Sequence, residues 1–396
     1  DTNVESVKIT DELIEDLTLP PIKPIVSLSE SDIGNILDNE SISDSDENTT
    51  VIEIAADTHM DIVEKEAAVE KTPDGMRILF GNDVNSGKPL YWFPNDTEKI
   101  MHPNTGIIGT MGTGKTQFTK SLILQLVREQ HNNPGDNPLG ILIFDYKGDY
   151  NKSKTDFIEA TDAKVYDLYH LPFNPFSITI TDNSKPMLPL HIANTFKDTL
   201  SKCFDLGVKQ QTALRDCIMQ AYEMKGIDKN NSLTWSKLPP VLDTVFKIYM
   251  DCDAFKEDSL YAAITELHEF EIFEPDVTKT MPLYDLINGV TVINLAGYDP
   301  SIQNLVVAIT LDLFYSQMQA NGHSKIEGKL RQLTKFILVD EADNFLKVGF
   351  PALRKILKEG REFGVGTILS TQFLKHFDTQ DDDFAKYIFT WIVHNV

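Results

Sequence analysis

The sequence predicts an α/β fold in which a mostly parallel β-sheet carries helices on both of its faces. Three observations lead to this prediction. Short apolar runs bounded by turn residues recur along the chain, which is typical of buried strands. Amphipathic stretches with helical spacing alternate with these runs, as in strand–helix–strand units whose strands are parallel. The chain has 396 residues, of which 41% are hydrophobic, and this is enough for a large buried core.

The first strand–helix–strand unit lies near the end of the first third of the chain. Thr105–Gly109 is a short apolar strand, and an amphipathic helix is predicted from about Lys115 to Arg128. A loop with two prolines and two glycines, residues 131–140, leads to the apolar strand Ile141–Phe144, which ends at Asp145. This spacing predicts two parallel strands joined by the helix.

The N-terminal segment differs from the rest in charge. Residues 1–72 contain 19 Asp and Glu against 4 Lys, whereas the whole chain has a net charge of −24. We expect a flexible acidic segment that serves either as a solvated linker or as a docking segment for a partner. After it, residues 77–81 and 89–93 read as a small hairpin.

Four amphipathic stretches without an intervening strand predict an all-helical insertion, at about residues 191–205, 209–225, 241–250 and 258–273. The α/β pattern then resumes with strands at 290–295, 335–340 and 366–370, helices at 302–320 and 351–363, and a further strand beginning at 388–393. We therefore divide the chain into residues 1–72 (acidic segment), 73–186 (hairpin and first part of the α/β domain), 187–285 (helical insertion) and 286–396 (second part).

Several protein classes are disfavoured by composition. No two of the three cysteines have Cys-x-x-Cys spacing in the sequence, and their number is odd, which argues against a zinc site or a disulfide framework. No apolar run approaches the length of a membrane span, and no basic-then-apolar leader is present, so we expect a cytoplasmic protein with no membrane partner. The first residue is Asp, so we expect a piece of a longer chain. The acidic net charge gives no support for nucleic-acid binding.

A phosphate-binding loop is predicted between the first strand and its helix. A glycine, four residues and then Gly-Lys-Thr occur in this order, and the glycines let backbone N–H groups point at an anion. Lys115 is expected to reach the β- and γ-phosphates of ATP, and the Thr116 hydroxyl is expected to bind Mg²⁺. The expected nucleotide-binding residues are Gly109, Thr110, Met111, Gly112, Thr113, Gly114, Lys115, Thr116 and Gln117.

Two acidic residues follow a later apolar strand. Asp340 and Glu341 come directly after Phe336–Val339, and ligands of open parallel sheets bind at the carboxyl ends of the strands. Asp340 is expected to support Mg²⁺, and Glu341 is expected to act as the general base that polarises the attacking water. The predicted activity is therefore ATP hydrolysis.

Three further residues allow a functional and a structural interpretation. Gln372 lies two residues after the strand at 366–370 and either contacts the γ-phosphate and the attacking water or has no role. Arg361 either stabilises charge on a neighbour's γ-phosphate or belongs to a basic helix end, since cations are favourable there. Asp145 either assists metal and water positioning or shapes its loop.

Four blocks in order, IIGTMGTGKTQ, ILIFDYKGDY, FILVDEADNF and EGREFGVGTILSTQ, resemble the HerA/FtsK superfamily of DNA-pumping ATPases, and most of all its HerA branch. The similarity covers roughly residues 75–396. It implies a homo-hexameric ring that holds ATP between neighbouring subunits and threads double-stranded DNA through its pore. It also implies that Gln372 senses the γ-phosphate and that Arg361 is a finger acting in trans.

Within the HerA branch, the sequence is similar to the ATPases of phosphorothioation-dependent restriction systems. This similarity implies a role in antiviral defence and, as partners, other restriction-complex subunits or a nuclease. Two departures are evident: no clear N-terminal β-barrel precedes the hairpin, and we expect a C-terminal portion beyond the sensor strand to be missing. The alternatives are a secretion or conjugation motor and a nucleotide-gated assembly subunit that recruits a nuclease.

Overall fold

A computed structural model describes residues 50–53, 75–136, 138–182, 184–252, 257–379 and 383–395. The predicted flexibility of the acidic segment 1–72 lies outside these residues, except at 50–53. Twelve strands occur in the described ranges: β1 (Thr50–Glu53), β2 (Ile78–Asn82), β3 (Pro89–Trp92), β4 (Thr105–Ile108), β5 (Gly140–Asp145), β6 (Lys164–Asp167), β7 (Val290–Asn294), β8 (Ile326–Glu327), β9 (Leu330–Arg331), β10 (Lys335–Val339), β11 (Val365–Thr371) and β12 (Thr390–Val393).

Eight of these strands form one sheet in the order β1-β12-β4-β11-β10-β5-β7-β6. All neighbouring pairs in this sheet are parallel. The predicted hairpin is present as β2 and β3, which pair antiparallel, and β8 and β9 form a second small hairpin that the sequence did not indicate. The predicted parallel sheet is therefore confirmed.

The described ranges contain ten α-helices: α1 (Lys115–Glu129), α2 (Thr155–Thr161), α3 (Leu188–Phe204), α4 (Val208–Met224), α5 (Leu242–Met250), α6 (Ser259–Glu269), α7 (Leu283–Leu286), α8 (Pro300–Asn321), α9 (Asp343–Leu346) and α10 (Pro351–Glu359). Seven of them were predicted and are present with shifted ends, whereas the short helices α2, α7 and α9 were not predicted. The helix expected over 351–363 changes to a 3₁₀ turn at Gly360–Phe363. No helix in the described part of the chain is long and apolar enough to cross a bilayer.

Both faces of the sheet are buried, as side-chain alternation along β5 shows. Ile141 and Ile143 belong to the core that contains α1 and the β2–β3 hairpin, whereas Leu142 and Phe144 belong to the core on the other face. Each strand residue is thus covered on one side or the other, which explains why β5 is apolar throughout rather than alternating. Helices on both faces are confirmed.

The helical segment that contains α3 to α6 is packed onto the α/β domain. Its buried residues and those of α8 belong to one continuous core. Two buried hydrogen bonds anchor it: Asn174 Nδ2 donates to the Pro240 carbonyl (2.8 Å), and Tyr222 Oη donates to the Phe176 carbonyl (2.8 Å). The domain limits at 187 and 285 stay a prediction, but the segment between them shares its core with the sheet.

Asp312 provides a stability test of this packing. Its carboxylate lies between α8 and α3 and accepts a hydrogen bond from Thr199 Oγ1 (2.5 Å). Burial raises its pKa to about 6, although Thr199 and Lys355 oppose the change. The folded state favours the protonated form of Asp312. Its contribution to the free energy of unfolding is therefore fully present below about pH 4 and is lost as the pH rises through 6.

We expect Asp312→Asn, which is neutral at every pH, to stabilise the fold by about 1–2 kcal/mol at pH 7.5. The advantage should disappear near pH 4, where native Asp312 is itself protonated. Thermal unfolding from pH 4 to 8 measures this difference. Asp216→Asn, at an exposed site on α4, is the control. A stability difference that does not change with pH would contradict the assignment.

Candidate functional site

Three neighbouring strands bring the predicted site residues to one edge of the sheet, where the carboxyl ends of the strands lie. The phosphate loop follows β4, the acidic pair Asp340–Glu341 follows β10, and β11 lies between these two strands. The register pairs Thr371 with Ile108, so Gln372 and Gly109 follow at the same level of the sheet. The Gly109 N–H donates to the Thr371 carbonyl (3.2 Å), and the Ala342 N–H donates to the Ser370 carbonyl (2.8 Å). The end of β11 therefore links the loop to the acidic pair.

The phosphate loop owes its shape to two glycines in the left-handed region. Gly112 has φ +78° and Gly114 has φ +90°, conformations that residues with a Cβ rarely adopt. A Cβ built on Gly112 would meet no atom within 4 Å, so this part of the loop borders open space. The loop leads directly into α1, whose first N–H groups have no partner within the helix. Together these features form a concave surface suited to an anion.

Lys115 is folded back onto this loop. Its Nζ donates to the carbonyls of Gly109 (2.5 Å) and Thr110 (3.2 Å), and the residue is only 8% exposed. Burial lowers the pKa of its ammonium, while the nearby charges of Glu341 and Asp340 oppose this change. The acidic pair is therefore close enough to act on the lysine electrostatically.

Asp340 and Glu341 lie in different surroundings. Asp340 is 5% exposed, and burial raises its pKa to about 6; the charges of Glu341 and Asp149 add to this, and the Ser370 hydroxyl opposes it. Glu341 has φ +55°, an uncommon conformation for a non-glycine residue that is often found at functional sites. The left-handed backbone conformation thus comes directly after Asp340.

Lys147 is a site residue that the sequence interpretation missed. Its ammonium forms an ion pair with the Glu341 carboxylate. Burial alone would lower the pKa of Lys147, but the hydrogen bond and charge of Glu341, with Asp340 and Asp149, raise it overall. The only sequence signal was its position in the loop after β5, the strand next to β10.

Asp145 shapes the loop that carries Lys147. Its carboxylate accepts backbone N–H hydrogen bonds at 2.8–3.3 Å from four residues, Lys147, Gly148, Asp149 and Tyr150. Both carboxylate oxygens take part, and burial raises the pKa of this group while these hydrogen bonds oppose the rise. Of the two interpretations of Asp145, the contacts favour the loop role.

Arg361 lies at the opposite edge of the sheet. It precedes β11, whose seven residues span about 23 Å at roughly 3.3 Å each, so it lies far from its own Gln372 and phosphate loop. It lines a small cleft together with Arg331, a residue of β9 that the sequence interpretation did not single out. Burial, followed by the charge of Arg361, lowers the pKa of Arg331. Two arginines are therefore close together at this opposite edge of the sheet, where β11 begins; we call it the second edge.

The residues at the edge that carries the phosphate loop and the acidic pair fit a nucleotide with bound Mg²⁺. The Thr116 hydroxyl and the Asp340 carboxylate are oxygen donors, the ligand type that Mg²⁺ prefers. The Gln117 Oε1 atom is buried and has no hydrogen-bond partner among the described residues. The open concave loop and Lys115 supply the groups that bind phosphate. The donor set and the shape of the loop therefore agree with the predicted ATP and Mg²⁺.

A family model described as the central domain of helicase HerA matches residues 94–314. The structure of VirB4 of Thermoanaerobacter pseudethanolicus is similar with a TM-score of 0.60 at 15% identity, covering 82% of this chain and 85% of that chain. The conjugative coupling protein TrwBdeltaN70 has a TM-score of 0.46 at 13% identity, covering 80% of this chain and 70% of that chain. The VirB4 similarity supports the α/β fold.

A short stretch is similar to a curated protein, the ESX-1 secretion system protein EccCa1 of Mycobacterium tuberculosis. The two are 33% identical over 76 residues, which is 19% of this chain and 10% of EccCa1. The chain thus spans about a tenth of the length of this relative.

Proposed function

The chain belongs to the family of HerA helicase central domains, and from this premise we propose that it is an ATP-hydrolysing motor that translocates double-stranded DNA. Membership makes it a P-loop ATPase of the HerA type. The observation that carries the proposal is the meeting of the phosphate loop, Asp340, Glu341 and Gln372 at one sheet edge. Such a site both holds a triphosphate and presents a carboxylate to water.

Each residue at this edge has a distinct role in the proposal. Lys115 and the loop N–H groups bind the β- and γ-phosphates, and Thr116 and Asp340 hold Mg²⁺. The bound ion neutralises charge on the phosphate oxygens. Glu341 orients the attacking water and takes its proton, and Gln372 contacts the γ-phosphate. For Glu341 to do this, its carboxylate must leave or loosen the ion pair with Lys147.

The second edge supports assembly into a ring. Arg361 and Arg331 lie too far from their own phosphate loop to reach its nucleotide, so a role at a γ-phosphate requires a neighbouring subunit. In a head-to-tail interface, the edge of one subunit that carries Arg361 lies against the phosphate-loop edge of the next subunit. When the rotation between successive subunits closes on itself, such interfaces form a ring. We therefore include a homo-hexamer with Arg361 acting in trans in the proposal.

Mixing two inactive variants tests the role of Arg361. Arg361→Ala and Lys115→Ala should each lose most ATP hydrolysis, whereas a one-to-one mixture should regain activity. Random assembly gives roughly a quarter of interfaces with both groups intact, so up to about 25% of native turnover should return. Lys358→Ala, an exposed residue one turn earlier, is the control and should stay active alone. Full activity of Arg361→Ala alone, or no recovery on mixing, would contradict the role in trans.

DNA-stimulated hydrolysis tests the function itself. We expect naked linear duplex DNA to raise ATP turnover several-fold, less so at high salt, and ATP to drive displacement of a DNA-bound block. Stimulation by single-stranded DNA or a protein substrate alone would favour a secretion or conjugation motor. ATP binding without turnover would favour an assembly subunit. Absence of stimulation by any DNA would overturn the proposal.

The finer form of the proposal assigns the motor to a phosphorothioation-dependent restriction complex, with a nuclease or other restriction subunits as partners. It is supported by the similarity of the sequence, within the HerA branch, to the ATPases of such systems. Unmodified duplex should then stimulate turnover more than the same duplex with phosphorothioate linkages in its backbone, when the partner subunits are present. Equal stimulation by both duplexes in that complex would contradict this form and leave the general motor function intact.

A further inference from the structure

The backbone that follows β12 lies directly against the phosphate loop. The His394 N–H donates to the Ile108 carbonyl (2.7 Å). The Asn395 carbonyl accepts hydrogen bonds from the Thr110 N–H (3.2 Å) and the Thr110 hydroxyl (3.0 Å). The loop is therefore held by Asn395, which is 285 positions away from Thr110 in sequence.

The His394 side chain makes a further contact to the loop. Its Nδ1 lies 3.0 Å from the Thr113 carbonyl oxygen, and the residue is fully buried. Burial lowers the pKa of this imidazole to about 4, and the charge of Lys115 contributes, although the Thr113 contact opposes it. The ring is therefore neutral near pH 7. Since a carbonyl only accepts, Nδ1 carries the proton and donates it to Thr113.

The orientation of one peptide group follows from this hydrogen bond. The peptide between Thr113 and Gly114 is planar and trans, so its C=O and N–H point in opposite directions. With the carbonyl turned towards His394, the Gly114 N–H points away from His394. That N–H belongs to the set expected to bind phosphate. The imidazole thus fixes a phosphate-binding group without being exposed to solvent itself.

Packing around the imidazole leaves it little freedom to turn. The ring meets Phe118 edge-on at 5.7 Å between centroids. A Cβ added to Gly109 would lie 2.5 Å from the His394 Cβ, so the first loop glycine is in close contact with this residue. Its Nε2 is buried and has no hydrogen-bond partner in the described part of the chain. A buried acceptor without a partner is unfavourable, so packing alone does not explain a histidine here.

We propose that His394 is a positioning residue of the nucleotide site: its Nδ1–H holds the Thr113 carbonyl so that the Gly114 N–H is pre-oriented for phosphate. The inference rests on the proposed ATPase function. The proposal adds His394, which directly follows β12, to a site that is otherwise formed by residues at the ends of β4, α1, β10 and β11. Pre-orientation raises affinity because the loop loses less conformational freedom when phosphate binds.

Three variants separate this role from simple packing. His394→Phe keeps a ring against Phe118 and removes the donor. His394→Asn has an amide nitrogen at the place of Nδ1 and can restore the hydrogen bond. Ile392→Val, on the adjoining strand β12, trims a buried aliphatic side chain that cannot form a hydrogen bond to the loop. Binding of a fluorescent ATP analogue with Mg²⁺ and thermal unfolding without nucleotide are measured for each.

We expect His394→Phe to weaken nucleotide binding about 5- to 10-fold, the usual effect of one lost hydrogen bond, with turnover at saturating ATP nearly retained. His394→Asn should bind within about twofold of the native chain. Native affinity in His394→Phe, or equal weakening in His394→Asn and Ile392→Val with matching losses of melting temperature, would overturn the proposal. Failure of the DNA-motor proposal would appear instead as missing DNA stimulation in the native chain.

Discussion

Glu341→Gln is expected to lower ATP turnover at least about 100-fold and to leave ATP affinity close to that of the native chain. Gln has the same length as Glu but cannot accept a proton from water. The phosphate loop and the Asp340 carboxylate are unchanged, so the nucleotide still binds. Steady-state hydrolysis and binding of a fluorescent ATP analogue measure the two quantities separately.

The ion pair with Lys147 requires a control for this experiment. Glu341→Gln removes the proposed base and also removes the charge that Lys147 contacts. Lys147→Met removes the same ion pair but keeps the Glu341 carboxylate. If Glu341 is the base, Lys147→Met should retain most turnover. Turnover that survives in Glu341→Gln, or that falls equally in both variants, would show that the base has been assigned to the wrong residue.

Lys115→Ala is expected to weaken ATP binding at least about 100-fold and to abolish measurable hydrolysis, because a charge-assisted contact to the phosphates is lost. The nucleotide-free protein should behave differently. Burial lowers the pKa of Lys115, so the folded state disfavours its charge, and removing it should shift the melting temperature by no more than about 2 °C. Stabilisation of the native chain by ATP should be absent in the variant.

Lys120 offers a matched control on the same helix. It is 4% exposed, and burial lowers its pKa as well, but its ammonium lies over the rings of Tyr150 and Phe157 at 5.5 and 5.9 Å. Lys120→Met keeps most of this packing and should bind ATP normally. Equal loss of ATP binding in both variants would indicate damage to α1 rather than to a phosphate contact.

Local sequence was sufficient for the elements that carry the phosphate loop and the acidic pair. β4, α1 and β10 are long or strongly patterned, and the residues that we propose to bind phosphate and metal lie directly at their ends. The short elements α2 and the β8–β9 hairpin were missed because a few residues give little periodicity. The change from α10 to a 3₁₀ turn at Gly360 gave no periodic signal either.

The contacts that refine the site depend on sheet order, which periodicity does not encode. Lys147 meets Glu341 because β5 is next to β10, and His394 meets the loop because β12 is next to β4. Arg331 shares a cleft with Arg361 although thirty positions separate them. None of these neighbours follows from spacing along the chain, so the sequence alone could not place them.

The position of β4 between β11 and β12 has a consequence for the time at which the nucleotide site forms. Thr110 and its partner Asn395 are 285 residues apart. At roughly 5–20 residues per second, synthesis of that interval takes about 14–57 s, and during this time the new loop does not yet have both of its neighbouring strands. Contacts of such large sequence separation also slow folding. During refolding, tight ATP binding should therefore appear late, together with protection of the sheet's backbone amides from hydrogen exchange. A pulse of nucleotide would then detect completely folded molecules and would not detect an early strand–helix–strand intermediate.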